Sequence, residues 1–499
     1  MRGKRLLYNT ISSLVFQVTT IICGFILPRL VLNSFGSEVN GLVNSITQFL
    51  GVISFLELGV GVVLESALYE PLAKRNIEEI NKVISSGEKF FKQLAKILAI
   101  YMIGLIFVYP YIVNSKFSWL YTVSLILAIG FNAFSQYYFG VVDRILLTAD
   151  QHGYIQYMAQ TITLIANTVA CCVLMKLGAT IHIVKFTTSA IYLLRPIFLR
   201  AYVKKHYSID RKVTYTDEPL KQKWNGMAQH IAAVVLDGTD TLVLTAFSSL
   251  SDVSIYSVYN LVTRGIMQLF TGILGGFQAL LGDMLAKKEN EKLKETFETF
   301  EWITHTGVTF IFGCTATLII PFVKVYTKGV LDANYIQPIF AAIMVLATAV
   351  RCIRIPYNVM VLAAGHYKQT QVYYIITAVI NFSISIITVK QYGLIGVAIG
   401  TLAAMIFHTV WTVIYTTRHL LQLSAKSFIK LIVIDIITIT IGIEISKFIV
   451  LTSDTYSAWI FLAIKESAVW FVVFLIVNAI SYQKNLKLLL VKWKKIINK

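Results

Sequence analysis

The chain has 499 residues, of which 56% are hydrophobic and only 14% are charged, so a soluble globular protein is excluded. The net charge of +18 would suggest nucleic-acid binding in a soluble chain. Here the lysines and arginines lie in short loops and at the C-terminus, between apolar runs, which is typical of a membrane protein. We therefore expect no nucleic-acid partner and an affinity for anionic membrane lipids.

Apolar runs of spanning length, about 20 residues each, recur along the whole chain. The first follows the basic segment Met1–Arg5 and continues to about residue 32 without a small-residue cleavage site, so it predicts an uncleaved span rather than a signal peptide. The sequence predicts fourteen transmembrane helices, at residues 6–32, 40–67, 90–113, 118–147, 154–177, 181–203, 225–248, 254–285, 298–323, 337–363, 370–390, 393–418, 428–450 and 456–481.

The loops between these spans fall into two groups, one rich and one poor in basic residues. Basic clusters recur in alternate loops and in the C-terminal tail, whereas residues 33–39 and 248–253 contain no lysine or arginine. The positive-inside rule therefore predicts a multi-pass protein with both termini in the cytoplasm, which agrees with an even number of spans.

An internal repeat relates the two halves of the chain at an offset near 214 residues. The matched identities are Ala149 with Ala363, His152 with His366, and Asn167 with Asn381. Because the repeat unit has an even number of spans, both copies cross the membrane in the same orientation, so they would be parallel lobes with the substrate path between them.

The predicted fold is an all-α polytopic membrane protein of about 14 helices, with two pseudo-symmetric six-helix lobes around a central cavity plus two extra C-terminal helices. The predicted parts are an N-lobe at 1–203, a cytoplasmic linker at 204–223, a C-lobe at 224–420, and the last two helices with a basic cytoplasmic tail at 421–499.

Ionisable side chains inside spans cost about 2.5–3.5 kcal/mol each at a helix centre, so they indicate a water-filled cavity or a partner. Our candidates for substrate binding are the arginines Arg29, Arg195, Arg264, Arg351 and Arg354. Our candidate cavity or ion-coupling carboxylates are Glu57, Asp237 and Asp240. A guanidinium stays charged and binds phosphate through two hydrogen bonds, so a chamber of arginines suits a diphosphate.

Helix geometry suggests one contact among these residues. Asp237 lies twelve residues before Ser249 and Arg264 lies fifteen after it. At a rise of 1.5 Å per residue, both are then roughly 18–22 Å below the outer turn. We expect an Asp237–Arg264 contact that lines the cavity.

Other charged residues in the spans have a structural interpretation. Arg144, Glu65 and Asp283 lie near the inner interface, where their side chains can extend to the headgroups. Asp435 and Glu444 belong to the two additional helices, and we expect them to form structural pairs.

Several kinds of chemistry have no signature in the sequence. It contains no P-loop motif, no H-E-x-x-H motif and no paired-cysteine metal site, and the five cysteines all lie inside apolar runs. No loop is long enough to hold a catalytic domain, and no interfacial loop carries the acidic or histidine cluster that a membrane transferase would need. We therefore expect no enzymatic activity, no cofactor and no metal.

Short motifs stand out between residues 33 and 83 and at the start of the second half. They are Phe35-Gly36 to Gly41-Leu42, Glu57-Leu58-Gly59-Val60-Gly61, Leu68-Tyr69-Glu70-Pro71-Leu72-Ala73, Asp237–Asp240, and Tyr256-Ser257-Val258-Tyr259-Asn260. Together they resemble the span 1–2, span 7 and span 8 motifs of polysaccharide repeat-unit (Wzx-type) flippases of Gram-positive bacteria. One departure is Glu70, where that family often has lysine.

The resemblance implies the multidrug/oligosaccharidyl-lipid/polysaccharide (MOP) exporter superfamily. It implies a flippase that moves an undecaprenyl-diphosphate-linked oligosaccharide, a repeat unit of a surface or capsular polysaccharide, from the inner to the outer leaflet of a bacterial plasma membrane by alternating access. Implied partners are a polysaccharide polymerase and assembly proteins. A lipid II flippase, which would share the cationic chamber, and a drug/cation antiporter of the same superfamily are the alternatives.

Overall fold

The structure is a computed structural model that describes residues 2–113, 117–215, 218–220 and 227–483. Throughout these ranges the regular structure is helical and no β-strand occurs, which confirms the predicted all-α fold. The chain divides into two compact units, unit 1 (Met1–Ser254) and unit 2 (Ile255–Lys499).

Unit 1 is built from helices that surround one apolar core. They are α1 (Arg2–Gly51), α2 (Ser54–Lys74), α3 (Ile77–Val113), α4 (Trp119–Ser135), α5 (Val141–Ala149), α6 (Gly153–Lys176), α7 (Ile181–His206), α8 (Met227–Phe247) and the first turn of α9 (Leu250–Leu274). A π-helical turn at Gln136–Gly140 joins α4 to α5.

The predicted loop at residues 33–39 is a kink rather than a gap between two helices. The backbone of Gly36 has φ 81° and ψ 179°, inside α1. Glycine reaches this positive φ without a side-chain clash, so the chain can bend there and continue as helix. The predicted second span, 40–67, is itself interrupted at residues 52–53, where α1 ends and α2 begins.

Unit 2 contains the remainder of α9 and a second series of helices. They are α10 (Phe277–Ala286), α11 (Asn290–Tyr326), α12 (Pro338–Ile353), α13 (Ile355–Ala363), α14 (Tyr367–Tyr392), α15 (Leu394–Tyr415), α16 (Lys426–Ser446) and α17 (Tyr456–Ser481). A π-helical turn at Thr416–Leu421 follows α15.

The repeat seen in the sequence recurs in the helix boundaries. Helices α3 and α11 both have 37 residues, and α11 begins and ends 213 positions after α3. Helices α5 and α13 both have nine residues, with bounds that differ by 214. Helices α6 and α14 begin 214 positions apart. The fourth predicted span of each half, 118–147 and 337–363, is therefore interrupted at the equivalent position, before α5 and before α13.

Within the described residues, nine segments are long and apolar enough to cross a membrane. They are Leu7–Gly51, Ile77–Val113, Trp119–Ala149, Gly153–Lys176, Asn290–Tyr326, Pro338–Ala363, Lys368–Tyr392, Leu394–Leu421 and Tyr456–Ser481. Further helices, among them α2, α7, α8 and α16, overlap the other predicted spans. A multi-pass membrane protein is thus established, and the count of fourteen spans stays a prediction.

The two C-terminal helices are attached to unit 2 around one indole ring. Trp470 on α17 is fully buried, and it lies against Gly313 on α11 and Gly442 on α16. A Cβ atom at either glycine would overlap the indole. Small residues let neighbouring membrane helices approach closely, so these glycines form the slot in which the ring packs.

Candidate functional site

A polar stripe that includes Arg195 runs between α6 and α7 in unit 1. The Arg195 guanidinium lies 3.9 Å from the ring centre of Tyr192, and its Nε donates a hydrogen bond of 2.5 Å to Thr163. Asn167, one turn further along α6, donates to the Tyr192 hydroxyl at 3.3 Å. The predicted cation is therefore held in place by a cation–π contact and by neutral hydroxyl oxygen.

Lys185 extends this stripe, and the sequence interpretation missed it. It lies seven residues before Tyr192, so it shares a face of α7 with that ring. Among the residues that the structure describes, no carboxylate forms an ion pair with Lys185 or Arg195. The signal was present in the sequence, because Lys185 is a charged residue inside the predicted span 181–203. The stripe thus carries two basic side chains, and neither is paired with a carboxylate in the described part of the chain.

The two predicted site residues on the first helices differ in their surroundings. Arg29, on α1 directly after Pro28, is half-buried. Glu57, on α2, accepts a hydrogen bond of 2.6 Å from Arg144 on α5, and both side chains are partly exposed. From its depth, Arg144 was predicted to extend to the headgroups. Its guanidinium instead forms an ion pair with Glu57.

The carboxylates of α8 are both described within unit 1. Asp237 is exposed, whereas Asp240 is buried with 6% of its surface accessible. Between them Gly238 faces Gln48 of α1, so closely that a Cβ at this position would overlap the amide. Further along α8, Thr245 donates a hydrogen bond of 2.8 Å to Ser45 of α1. The sequence Asp-Gly-Thr-Asp thus places two carboxylates on a helix that packs tightly against α1.

The remaining predicted cations belong to unit 2. Arg264 lies on α9 and is exposed. Arg351 and Arg354 lie at the break between α12 and α13, where Arg351 is half-buried and Arg354 is 8% exposed. His408 of α15 is buried near both arginines. Asp237 and Arg264 belong to different units, and their contact stays a prediction.

A second buried polar cluster joins α11 to α16. His305 Nδ1 lies 2.6 Å from Asp435, which also accepts a hydrogen bond of 2.7 Å from Thr309. One turn before His305, Glu301 accepts a hydrogen bond from Tyr357 of α13. The structural pairing expected for Asp435 is therefore present, and Glu301 is a buried carboxylate that sequence reasoning missed.

Glu444, the other charged residue of α16, pairs locally. It lies 2.6 Å from Lys447, and both side chains are largely exposed. The pair is thus structural, as expected, and belongs to the surface.

No protein-family model matches the chain, and no curated protein matches it by sequence. Solved structures do match. A lipid II flippase MurJ, in an inward closed conformation, has 16% sequence identity, covers 96% of this chain and 99% of its own, and gives a TM-score of 0.72. An inward-facing MATE multidrug resistance transporter of the MOP superfamily has 15% identity over 80% of this chain and 95% of its own, with a TM-score of 0.64. The MATE multidrug transporter DinF-BH has 15% identity over 83% of this chain and 95% of its own, with a TM-score of 0.58.

The chain has the fold of MOP-superfamily transporters. Sequence identities of 15–16% establish a shared fold alone, so the substrate and mechanism depend on the residues of this chain.

Proposed function

We propose that the chain is a flippase that moves an undecaprenyl-diphosphate-linked oligosaccharide from the inner to the outer leaflet of a bacterial plasma membrane by alternating access. The observation that carries this proposal is the match to a lipid II flippase over 96% of the chain. Helices α16 and α17 have 21 and 26 residues, which together are about a tenth of the chain. Only 4% of the chain is unmatched, so the match must include more than half of these two helices. The MATE structures leave about a fifth of the chain unmatched.

The charges along the apolar helices favour an anionic substrate. Lys185 and Arg195 lie on one stripe of α7 without a carboxylate partner in the described part of the chain. Arg351 and Arg354 are further intramembrane guanidinium groups, at the α12–α13 break. A diphosphate can pair with several such cations, whereas a cationic drug would be repelled by them.

In this proposal the predicted arginines bind the diphosphate and the sugar. They are Arg29, Arg195, Arg264, Arg351 and Arg354. The carboxylates Glu57, Asp237 and Asp240 line the path or bind a coupling ion. The product would pass to a polysaccharide polymerase and its assembly proteins, because the oligosaccharide must be joined to others after it reaches the outer leaflet.

Two other cargoes have support of their own. Lipid II is favoured by the full-length structural match, and it carries the same kind of anionic diphosphate group. A cationic drug is favoured by the MATE matches and by Asp237 and Asp240 on α8. The three cargoes can be compared directly, since each can be supplied to the same vesicles.

The test is transport in sealed vesicles that contain the full-length protein. A fluorescent undecaprenyl-diphosphate oligosaccharide is placed in the leaflet that corresponds to the cytoplasmic one, and its arrival in the opposite leaflet is recorded. We expect translocation by the wild type and its loss in Arg264→Ala. The matched control is Arg418→Ala, which removes an exposed arginine at the π-helical turn after α15.

The outcomes separate the alternatives. Unchanged transport in Arg264→Ala would remove this residue from the mechanism. Transport of lipid II but not of the oligosaccharide would replace the proposed cargo by lipid II. Transport of the cationic dye ethidium alone would overturn the flippase proposal in favour of the antiporter.

A further inference from the structure

A cavity of about 730 Å³ lies where α7 ends and the linker begins in unit 1. Its lining comes from the first half of α3, the last turns of α7 and the linker residues 207–212. The linker is fixed there by hydrogen bonds, from the Asp210 backbone N–H to Asn81 at 3.1 Å and from Ser85 to the Val213 carbonyl at 2.9 Å. The positive-inside rule places this end of the helices at the cytoplasmic interface.

The inner wall of the cavity is a network of charged side chains. Arg211 of the linker binds Asp143 at 2.5 Å and also binds Glu88. Arg200 of α7 binds Glu88 at 2.6 Å and Asp143 at 3.4 Å. Burial opposes the charge on Arg211, but attraction to Asp143 and hydrogen bonds to both carboxylates outweigh it and raise its pKa. Both arginines are therefore committed to protein carboxylates, and they give the wall a fixed geometry.

The outer wall carries positive charge that no described side chain neutralises. Lys204 and Lys212 line the cavity, are exposed, and have no side-chain partner among the described residues. Lys92 also lines it, 3.0 Å from Glu88, although Glu88 is already bound by two arginines. Among the described residues, three lysines and two arginines against the carboxylates of Glu88, Asp143 and Asp210 leave a net charge of +2 around the cavity. An anion can therefore enter with a gain in electrostatic energy.

Two apolar stripes lead from the cavity towards the middle of the membrane. On α3, Ile100, Ile103 and Phe107 follow Lys92 at helical spacing and are 57–70% exposed. On α7, Ile197 and Leu194 are 53% and 55% exposed and lie seven and ten residues before Lys204, on the same side of the helix. Exposed apolar side chains at this depth contact lipid chains. The lysines thus stand at the headgroup end of two lipid-facing stripes, where long side chains commonly reach the interface.

We propose that this cavity binds the phosphate group of an anionic phospholipid of the inner leaflet, with the acyl chains along the stripes of α3 and α7. Lys92, Lys204 and Lys212 contact the phosphate, while the network of Arg200 and Arg211 holds the linker that completes the cavity. Basic pockets between helices on the cytoplasmic side are typical sites for anionic headgroups. A zwitterionic headgroup has no net charge to balance the surplus, so it binds more weakly. The site is independent of which cargo is transported.

The test counts lipids bound to the purified full-length protein by native mass spectrometry. The protein is titrated with phosphatidylglycerol and, separately, with phosphatidylcholine. We expect a retained phosphatidylglycerol whose binding weakens about fivefold for each lysine removed in Lys204→Gln and Lys212→Gln, from the usual contribution of a lysine at an anionic surface. The matched control is Lys205→Gln, because Lys205 is the exposed neighbour of Lys204 but does not line the cavity.

Three results would overturn the proposal. Equal loss in Lys205→Gln would mean that the lipid responds to the general basic surface and not to the cavity. Equal retention of phosphatidylcholine would remove the requirement for a net negative charge. Displacement of phosphatidylglycerol by inorganic phosphate at equal concentration would mean that the apolar stripes contribute nothing, and the ligand would then be a free phosphate.

Discussion

Asn40 of α1 donates a hydrogen bond of 2.8 Å to Ser254 in the first turn of α9, and both side chains are buried. The two residues are 214 positions apart, which is also the offset of the internal repeat. Equivalent positions of the two copies therefore touch each other at this point. Next to them, Gly41 lies against the backbone carbonyl of Leu250, so the helices approach without a side chain between them.

A side chain at Gly41 should open this contact. A Cβ there would overlap the Leu250 carbonyl, which is backbone and cannot rotate away, so Gly41→Val must displace the start of α9. We expect Ser254→Cys, buried in the parent, to react several-fold faster with a membrane-impermeant maleimide when Gly41→Val is present. The control is Gly104→Val, since a Cβ at Gly104 meets nothing within 4 Å. Equal labelling rates in both backgrounds would contradict the close packing of α1 and α9.

Loss of Arg211 should lower the stability of the folded protein. Asp143 is fully buried and Glu88 is 6% exposed, and both are bound by Arg211. Arg211→Met leaves two buried carboxylates with Arg200 as their one arginine. Complete loss of a buried partner costs about 3–5 kcal/mol, so the partial loss here should cost up to about 3 kcal/mol. We expect a lower Tm in thermal unfolding of the purified protein. Lys205→Met, at an exposed position, should leave the Tm unchanged, and an equally small effect of Arg211→Met would show that the network adds no stability.

Hydropathy and charge were sufficient to predict the helical fold. The limits of an apolar run depend on local composition alone. The spans predicted to begin at residues 154 and 370 therefore begin close to the observed first residues of α6 and α14, Gly153 and Tyr367. The interruptions could not be predicted in the same way. The kink at Gly36 was predicted as a loop, and the π-helical turn at Gln136–Gly140 has no signal in composition. Both depend on how the helix packs, which sequence periodicity does not report.

The candidate site was predictable in its residue types but less so in its contacts. Depth along a helix follows from residue counting, which is why Glu57 and Arg195 were recognised as intramembrane charges. The direction of a side chain around the helix axis depends on tertiary packing, so the pairing of Glu57 with Arg144, 87 residues away, could not be inferred. The contact of Arg195 with Tyr192 is different, because residues three apart on a helix are neighbours.

The slot around Trp470 predicts coupled effects of two substitutions. Gly442→Ala places a methyl group against the buried indole, and overpacking of this kind costs about 1–3 kcal/mol. Trp470→Leu shortens the side chain and removes the clash, at the expense of a cavity. We expect Gly442→Ala to lower the Tm in the wild-type background and to have little effect in Trp470→Leu. A double-mutant cycle in thermal unfolding measures the coupling, and simple additivity would mean that the indole does not occupy the slot.

The buried pair of His305 and Asp435 should behave as a unit in stability measurements. Asp435→Leu removes the acceptor of both His305 and Thr309, and a buried polar group left without its partner costs about 1–3 kcal/mol. His305→Phe alone leaves the carboxylate buried without the imidazole. The double variant replaces both by apolar groups of similar size, which is often neutral for a buried pair.

Thermal unfolding of the three variants therefore has a definite expected order. The double variant should have a higher Tm than Asp435→Leu alone, although it carries one more substitution, because the imidazole is no longer left buried without its partner. Glu444→Leu serves as the control on the same helix, since the Glu444–Lys447 pair is exposed and contributes about 0–1 kcal/mol. A double variant whose loss equals the sum of the single losses would mean that His305 and Asp435 stabilise α11 and α16 separately, and the two helices would then be joined by apolar packing around Trp470.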